Sequence, residues 1–302
     1  WGDQTFNSYN TDYVVGTGKN WKLQAKSYNW MESATILYPR ESPVNIHSEV
    51  YSDAGFSLSF MAVSVGYMWN VNKLFSEPVN RRTFNLDFNC SRFAINFQTV
   101  SSSGGMIITQ FGDFDPGHRL HHRFDDTSLS MKTLDAYWFF NNYHYSQAAA
   151  YSYSKYQLRN AGTALVGFNM TEQHMSMDFA GLPADMLAYA PTDDMTYTSD
   201  YRSYCLMGGY SYNLVLHPRR WLLNGTVMAA VGYKRQFDSE RRHPAISRFA
   251  NNYRLNLALV YNHRALFASL TMRGQAFVNF TSTDITHLNS FLSLTAAVGM
   301  RF

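Results

Sequence analysis

The chain has 302 residues, 46% hydrophobic and 16% aromatic, with a formal net charge of +3. So small a charge excludes the basic footprint of a nucleic-acid binder, and no stretch approaches the ~20 apolar residues of a transmembrane helix. Membrane insertion by strands stays open, because strands with two unlike faces average to mild polarity; the mean hydropathy is −0.29.

In chain order, the sequence starts at Trp1 without an initiator Met or a charged-then-apolar leader. An exported protein would have lost its signal peptide before this numbering. Residues 1–18 are expected to be an N-terminal periplasmic segment, and 19–302 a single barrel domain. The first strand is predicted near 21–30. Strands at 44–51 and 56–69 flank Ser52-Asp53-Ala54-Gly55, which reads as a tight turn. Apolar parity switches from Phe60 to Met61, which predicts a β-bulge. Phe84, Leu86 and Phe88 alternate with Asn85, Asp87 and Asn89; after a turn at 90–92, Phe93, Ile95 and Phe97 alternate with Ala94, Asn96 and Gln98. Leu134, Ala136, Trp138 and Phe140 form the next face. Asn141-Asn142 then turns the chain into a predicted strand from Tyr143 to Tyr153.

A further tight turn is read at 171–173, followed by a short strand at 173–179. Strands follow at 204–216, 221–233, 253–261 and 266–272, joined by turns at 216–220 and 262–264. Longer polar connections are read at 31–42, 70–81, 100–127, 154–160, 181–199, 237–247 and 281–287. The last strand alternates Leu292, Leu294, Ala296, Val298, Met300 and Phe302 with small or polar neighbours. Period-two alternation of this kind marks a strand with two faces.

These elements predict an all-β fold: a transmembrane antiparallel up-and-down β-barrel with short periplasmic turns and longer extracellular loops. Thirteen strands and the short one at 173–179 make fourteen, with twelve as the alternative. Aromatic residues support a membrane: there are 21 Tyr, 22 Phe and 6 Trp. Tyr253 and Tyr261 bracket Leu255, Leu257 and Leu259, and Trp221 and Tyr233 bracket Leu223 to Val231. Aromatic ends around an aliphatic middle are the profile of a lipid-facing strand. An outward Arg or Lys at mid-bilayer costs about 2–4 kcal/mol. On the strand parity, Asp87, Asp135, Arg254, Arg273, Gln275 and Arg301 all face the lumen. Lys132 fits badly, which points to a nearby register break. Cys90 is expected to face outward and Cys205 inward, so no disulfide is expected.

The segments KNWKLQAK (Lys19 to Lys26), AGFSLSF (Ala54 to Phe60), TFNLDFNCSRFAINFQ (Thr83 to Gln98), WFFNNYHYSQAAAY (Trp138 to Tyr151), RNAGTALVG (Arg159 to Gly167) and GYSYNLVLHPRRWLLN (Gly209 to Asn224) occur in this order before the final strand. In these segments the chain resembles an uncharacterised outer-membrane β-barrel family of Bacteroidota, domain of unknown function 4421. The resemblance runs from about Lys19 to Phe302 and implies location and fold, with no assigned activity. The ending Leu292, Leu294, Val298, Met300 and Phe302 also resembles the signal read by the barrel-insertion machinery.

No catalytic site stands out. His144 and Ser146 share a predicted strand face, ~7 Å apart at Cα, with Asn141 and Asn142 near; a lipid hydrolase would need such a pair, but polar residues on a Tyr-rich strand end are the simpler reading. His118, His121 and His122 with Asp113, Asp115, Asp125 and Asp126 have a spacing that fits no closed metal site. There is no phosphate loop, CxxC or HExxH. Neither metal nor cofactor is predicted. The expected role is a structural or accessory subunit of an envelope complex in the bacterial outer membrane. The alternatives are a narrow channel or transporter, and a lipid-modifying enzyme. Expected partners are outer-membrane lipids and lipopolysaccharide, the insertion machinery, and other outer-membrane proteins or lipoproteins, with no nucleic acid.

Overall fold

The computed structural model describes residues 8–38, 43–60, 63–71, 80–190, 195–237, 244–280 and 286–302. The chain forms one long antiparallel up-and-down sheet. Its neighbours run in the order β6 (Asn80–Asn89), β7 (Phe93–Ser103), β10 (Thr127–Phe139), β12 (Ala161–Asp178), β13 (Thr196–His217), β14 (Trp221–Phe237), β15 (Pro244–His263), β16 (Leu266–Phe280), β17 (Thr286–Arg301), β2 (Trp21–Leu37), β4 (Tyr51–Phe60) and β5 (Val63–Asn70). Three short strands, β3 (Val44–Ser48), β8 (Met106–Phe111) and β9 (His122–Phe124), branch from the far end of β2. The principal path therefore has twelve strands among the described residues, not fourteen.

The sheet is curled. Arg254 on β15 reaches Asp135 on β10, and Arg273 on β16 reaches Asp87 on β6. Strands far apart along the path thus meet across an interior. The two ends of the path, β5 and β6, are consecutive in sequence, and no pairing between them is recorded among the described residues. We call the end that holds Trp21 and Phe302 the lower end; backbone bonds join these two residues in both directions at 3.0 Å.

Alternation dictates which side chains turn out. Leu292, Leu294, Val298 and Met300 on β17 and Phe302 just after it are all exposed, as are Leu255 and Leu257 on β15 and Val227 and Val231 on β14. Leu206 keeps 71% of its surface. At the lower rim the aromatics pair across strands: Trp21 with Phe60 at 4.8 Å, and Trp221 with Tyr261 at 4.6 Å.

Several expectations are corrected. Ser52 to Gly55 lie inside β4, paired with Tyr28, Asn29, Ser27 and Lys26 of β2, so there is no turn there. The parity switch after Phe60 is the hairpin itself: β4 ends at Phe60, and β5 begins at Val63 with the two residues paired. A hairpin turn and a bulge both shift phase by one residue, so they look alike in sequence. The turn read at 171–173 is absent. β12 runs unbroken through Thr171, Glu172 and Gln173 in continuous register with β13, which removes the extra strand at 173–179. Lys132 lies in unbroken register with β7 and β12, so the expected break is also absent; it faces outward beside Glu172. Cys90 is buried in the turn before β7 rather than facing outward, and both cysteines are free.

The segment 143–153 is not a strand. It forms turns and a five-residue helix, α1 (Gln147–Tyr151), followed by β11 (Lys155–Gln157). β11 pairs with β1 (Val14–Gly16) in a separate two-stranded sheet. The remaining helical pieces are a 3-10 turn (Phe179–Gly181) and α2 (Ala184–Leu187) near the upper end. Among the described residues no helix is long and apolar enough to cross a membrane.

Candidate functional site: the plugged, charged interior

The interior has three tiers. The lower tier is filled by residues 140–160. Inward positions on the strands are small and polar here (Ser211, Asn213, Asn224, Thr226), and they receive this segment. Tyr145 Oη lies 2.6 Å from Ser211 Oγ and accepts from Asn224 Nδ2 at 3.2 Å, and it also bonds Gln147. Tyr151 Oη donates to Asn224 Oδ1 at 2.8 Å. Asn213 Nδ2 donates to the Ser146 carbonyl at 3.0 Å. The Tyr153 ring stacks on Phe267 at 4.7 Å, its hydroxyl accepts from Ser269 at 2.8 Å, and its carbonyl accepts from Arg301 Nε at 2.7 Å. Lys22 Nζ donates to the Ser152 carbonyl at 2.8 Å. Ala149 and Ala150 of α1 pack on Leu222, Ala258 and Val260.

Residues 8–18 seal this insert. Leu158 N–H donates to the Tyr13 carbonyl at 2.7 Å, and the Tyr13 ring meets His144 edge-on at 4.4 Å. Ser146 Oγ donates to Tyr9 Oη at 3.3 Å. Burial pushes the Tyr9 phenol up to about 12, against the partial relief of that bond.

The middle tier is charged. Arg254 Nη2 donates to Asp135 Oδ1 at 2.9 Å, and both side chains are almost wholly buried. Asn169 Nδ2 donates to the same carboxylate at 2.6 Å, and Tyr137 Oη at 3.4 Å. Arg273 Nη2 reaches Asp87 Oδ2 at 3.2 Å, and its guanidinium lies 5.8 Å from the centre of the Tyr151 ring, where this tier meets the insert. Gln275 Nε2 donates to Gln98 at 3.4 Å. Arg301 lies lower, between Phe267 and Tyr156, and donates to Asn262 Oδ1 at 2.5 Å. A cavity of about 30 Å³ lies among Asn96, Thr133, Asp135, Arg254 and Gln275. That is room for a water molecule.

The upper tier is apolar. Ile36, Val44, Ile46, Met106, Ile108, Phe111, Phe124, Met175, Met177 and Phe179 form one buried cluster, closed by Leu182 and by Met186 of α2. Phe124 stacks on Phe179 at 5.3 Å. Below it Trp30 stacks on Phe291 at 5.2 Å, and Arg254 lies 5.7 Å from the centre of the Phe277 ring.

Asp87, Asp135, Arg254, Arg273 and Gln275 are thus brought together in one chamber, with Arg301 at the plug below. The other candidates do not assemble. His144 Nδ1 bonds Asn141 Oδ1 at 2.9 Å instead of Ser146, and Ser146 is fully buried. Asp115 accepts from Gly117 N–H, His118 bonds the Pro116 carbonyl, and Asp125 pairs with Arg123. Among the described residues no group of three or more His, Cys, Asp or Glu converges as a metal site. The tyrosines of the insert were not singled out in the sequence. The signal for them was length: 21 residues separate β10 from β12, where tight turns join the other lower strand ends.

Residues 8–302 match the family described as "Domain of unknown function (DUF4421)". The chain belongs to this family. No curated protein matches. Among solved structures it is similar to the outer-membrane protease OmpT from Escherichia coli, at 10% identity over 95% of this chain and 98% of that chain, with a TM-score of 0.41. A deltaS2 mutant of the TodX monoaromatic hydrocarbon channel matches at 8% identity, covering 94% and 91%, with a TM-score of 0.30. OpdQ from Pseudomonas aeruginosa matches at 5% identity, covering 92% and 98%, with a TM-score of 0.19.

Proposed function

We propose that this chain is a closed β-barrel of the bacterial outer membrane, in a Bacteroidota species, serving as a structural or accessory subunit of an envelope complex. The outward apolar faces support membrane embedding. Side chains such as Leu206, Val227, Leu257 and Leu292 form a surface far larger than a water-soluble monomer exposes. Aromatic pairs at the lower rim suit the headgroup level.

The observation that carries the accessory reading is occlusion. The insert 140–160 fills one end, the apolar cluster fills the other, and a water-sized cavity lies between them. A barrel filled at both ends in this way is suited to a role other than conducting solutes. Its exposed surfaces are then the places where it acts. The test is extraction in a mild detergent followed by identification of co-purifying proteins. The proposal expects defined outer-membrane proteins or lipoproteins in fixed ratio; recovery of a lone monomer from native membranes contradicts it.

A further inference from the structure

We propose that the outward face of β10, β12, β13 and β14 carries a binding strip for the phosphates of an anionic lipid headgroup in the upper leaflet. This rests on the membrane-embedded reading above. One row across the four strands aligns Lys132, Glu172, Arg202 and Arg235, each in register with the next. Strands lie about 4.8 Å apart, so the row extends over roughly 14 Å. It holds three cations and one anion. Arg202 Nε donates to Glu172 Oε2 at 2.7 Å, and Lys132 Nζ lies 3.7 Å from Glu172 Oε1. The single carboxylate thereby fixes two of the cations in the row and leaves the strip net positive. One row higher, Arg82, Ser101, Ser130, His174 and Asp200 follow in register, with His174 bonded to Asp200.

The outward pattern along each strand places this row. Two residues lower, the outward side chains on the same strands are Leu134, Met170, Tyr204 and Tyr233. The row is therefore the first charged step above the apolar face. A charge costs about 2–4 kcal/mol at mid-bilayer but only about 0–1 near the interface, and guanidinium forks match phosphate oxygens. With residues 8–18 and the short lower turns on the periplasmic side, as the sequence leads one to expect, the upper leaflet is the outer one, so the occupant is the phosphorylated lipid A portion of lipopolysaccharide.

The test reconstitutes the full chain with equal amounts of lipid A and phosphatidylcholine and measures retained lipid by native mass spectrometry. Wild type is expected to retain lipid A in the presence of millimolar inorganic phosphate. Lys132→Gln/Arg202→Gln/Arg235→Gln is expected to weaken retention by about tenfold, or about 1.4 kcal/mol. Arg202→Lys alone is expected to give a smaller loss and serves if the triple variant fails to fold. Unchanged retention in a folded variant overturns the strip, and displacement by inorganic phosphate overturns the lipid assignment. A wild-type chain that does not enter bilayers fails the membrane reading itself; one that inserts with no lipid preference fails only this proposal.

Discussion

At the scale of single residues, the interior is held by polar groups that depend on one another. Asp135 is the clearest case: it accepts from Arg254, Asn169 and Tyr137 on three different strands. Removing one partner of a buried pair strands the other charge and costs about 3–5 kcal/mol, whereas removing both leaves no orphan. Arg254→Leu should therefore lower stability to urea in lipid vesicles by that amount, and Asp135→Leu/Arg254→Leu should recover much of it; equal loss in both variants contradicts the pairing. Gly299 acts by absence of a side chain. A Cβ there would stand 2.4 Å from the Phe267 ring, the ring on which Tyr153 stacks. The same Cβ would stand 2.7 Å from the Leu23 carbonyl, so Gly299→Val should displace Phe267 and crowd the β2–β17 pairing, read as faster hydrogen exchange at 145–153. The lumen-facing charges were legible in sequence because alternation assigns each strand residue to a face before any contact is known. Their partners were not, since Asp87 and Arg273 lie 186 positions apart.

At the scale of elements, what sequence hid were the places where local pattern and tertiary context disagree. Thr171-Glu172-Gln173 is polar enough to read as a turn, yet it continues β12 where the outward face turns from apolar to charged. Tyr145, Tyr151 and Tyr153 read as part of a strand, yet they enter the interior because Ser211, Asn224 and Ser269 offer partners there, while Tyr143 stays exposed. The upper loops hold by small links. Gly105 N–H donates to Asp125 Oδ1 at 2.8 Å. Burial pushes the Asp125 carboxyl up, but this bond and Arg123 outweigh it and hold the carboxyl below its usual range. A lowered carboxylate contributes stability above its unfolded-state value and loses it as pH falls through the folded one. Acidification below the usual carboxylate range should therefore lower the protection of the Gly105 amide relative to its intrinsic exchange at the same pH, and Asp125→Asn should abolish that change in protection; a pH-dependent protection that persists in the variant contradicts it.

At the scale of the whole molecule, the sheet and the insert answer different needs. The twelve path strands among the described residues, with their apolar outward faces, suit a bilayer, and an interior filled from both ends suits a barrel that does not conduct. Planar-bilayer recording tests this closure most directly, comparing wild type with a variant in which residues 144–157 are replaced by a short Gly-Ser linker. A silent wild type and stepwise conductance in the variant are the predicted results. Conductance in the wild type, or a variant that inserts and stays silent, would contradict the account.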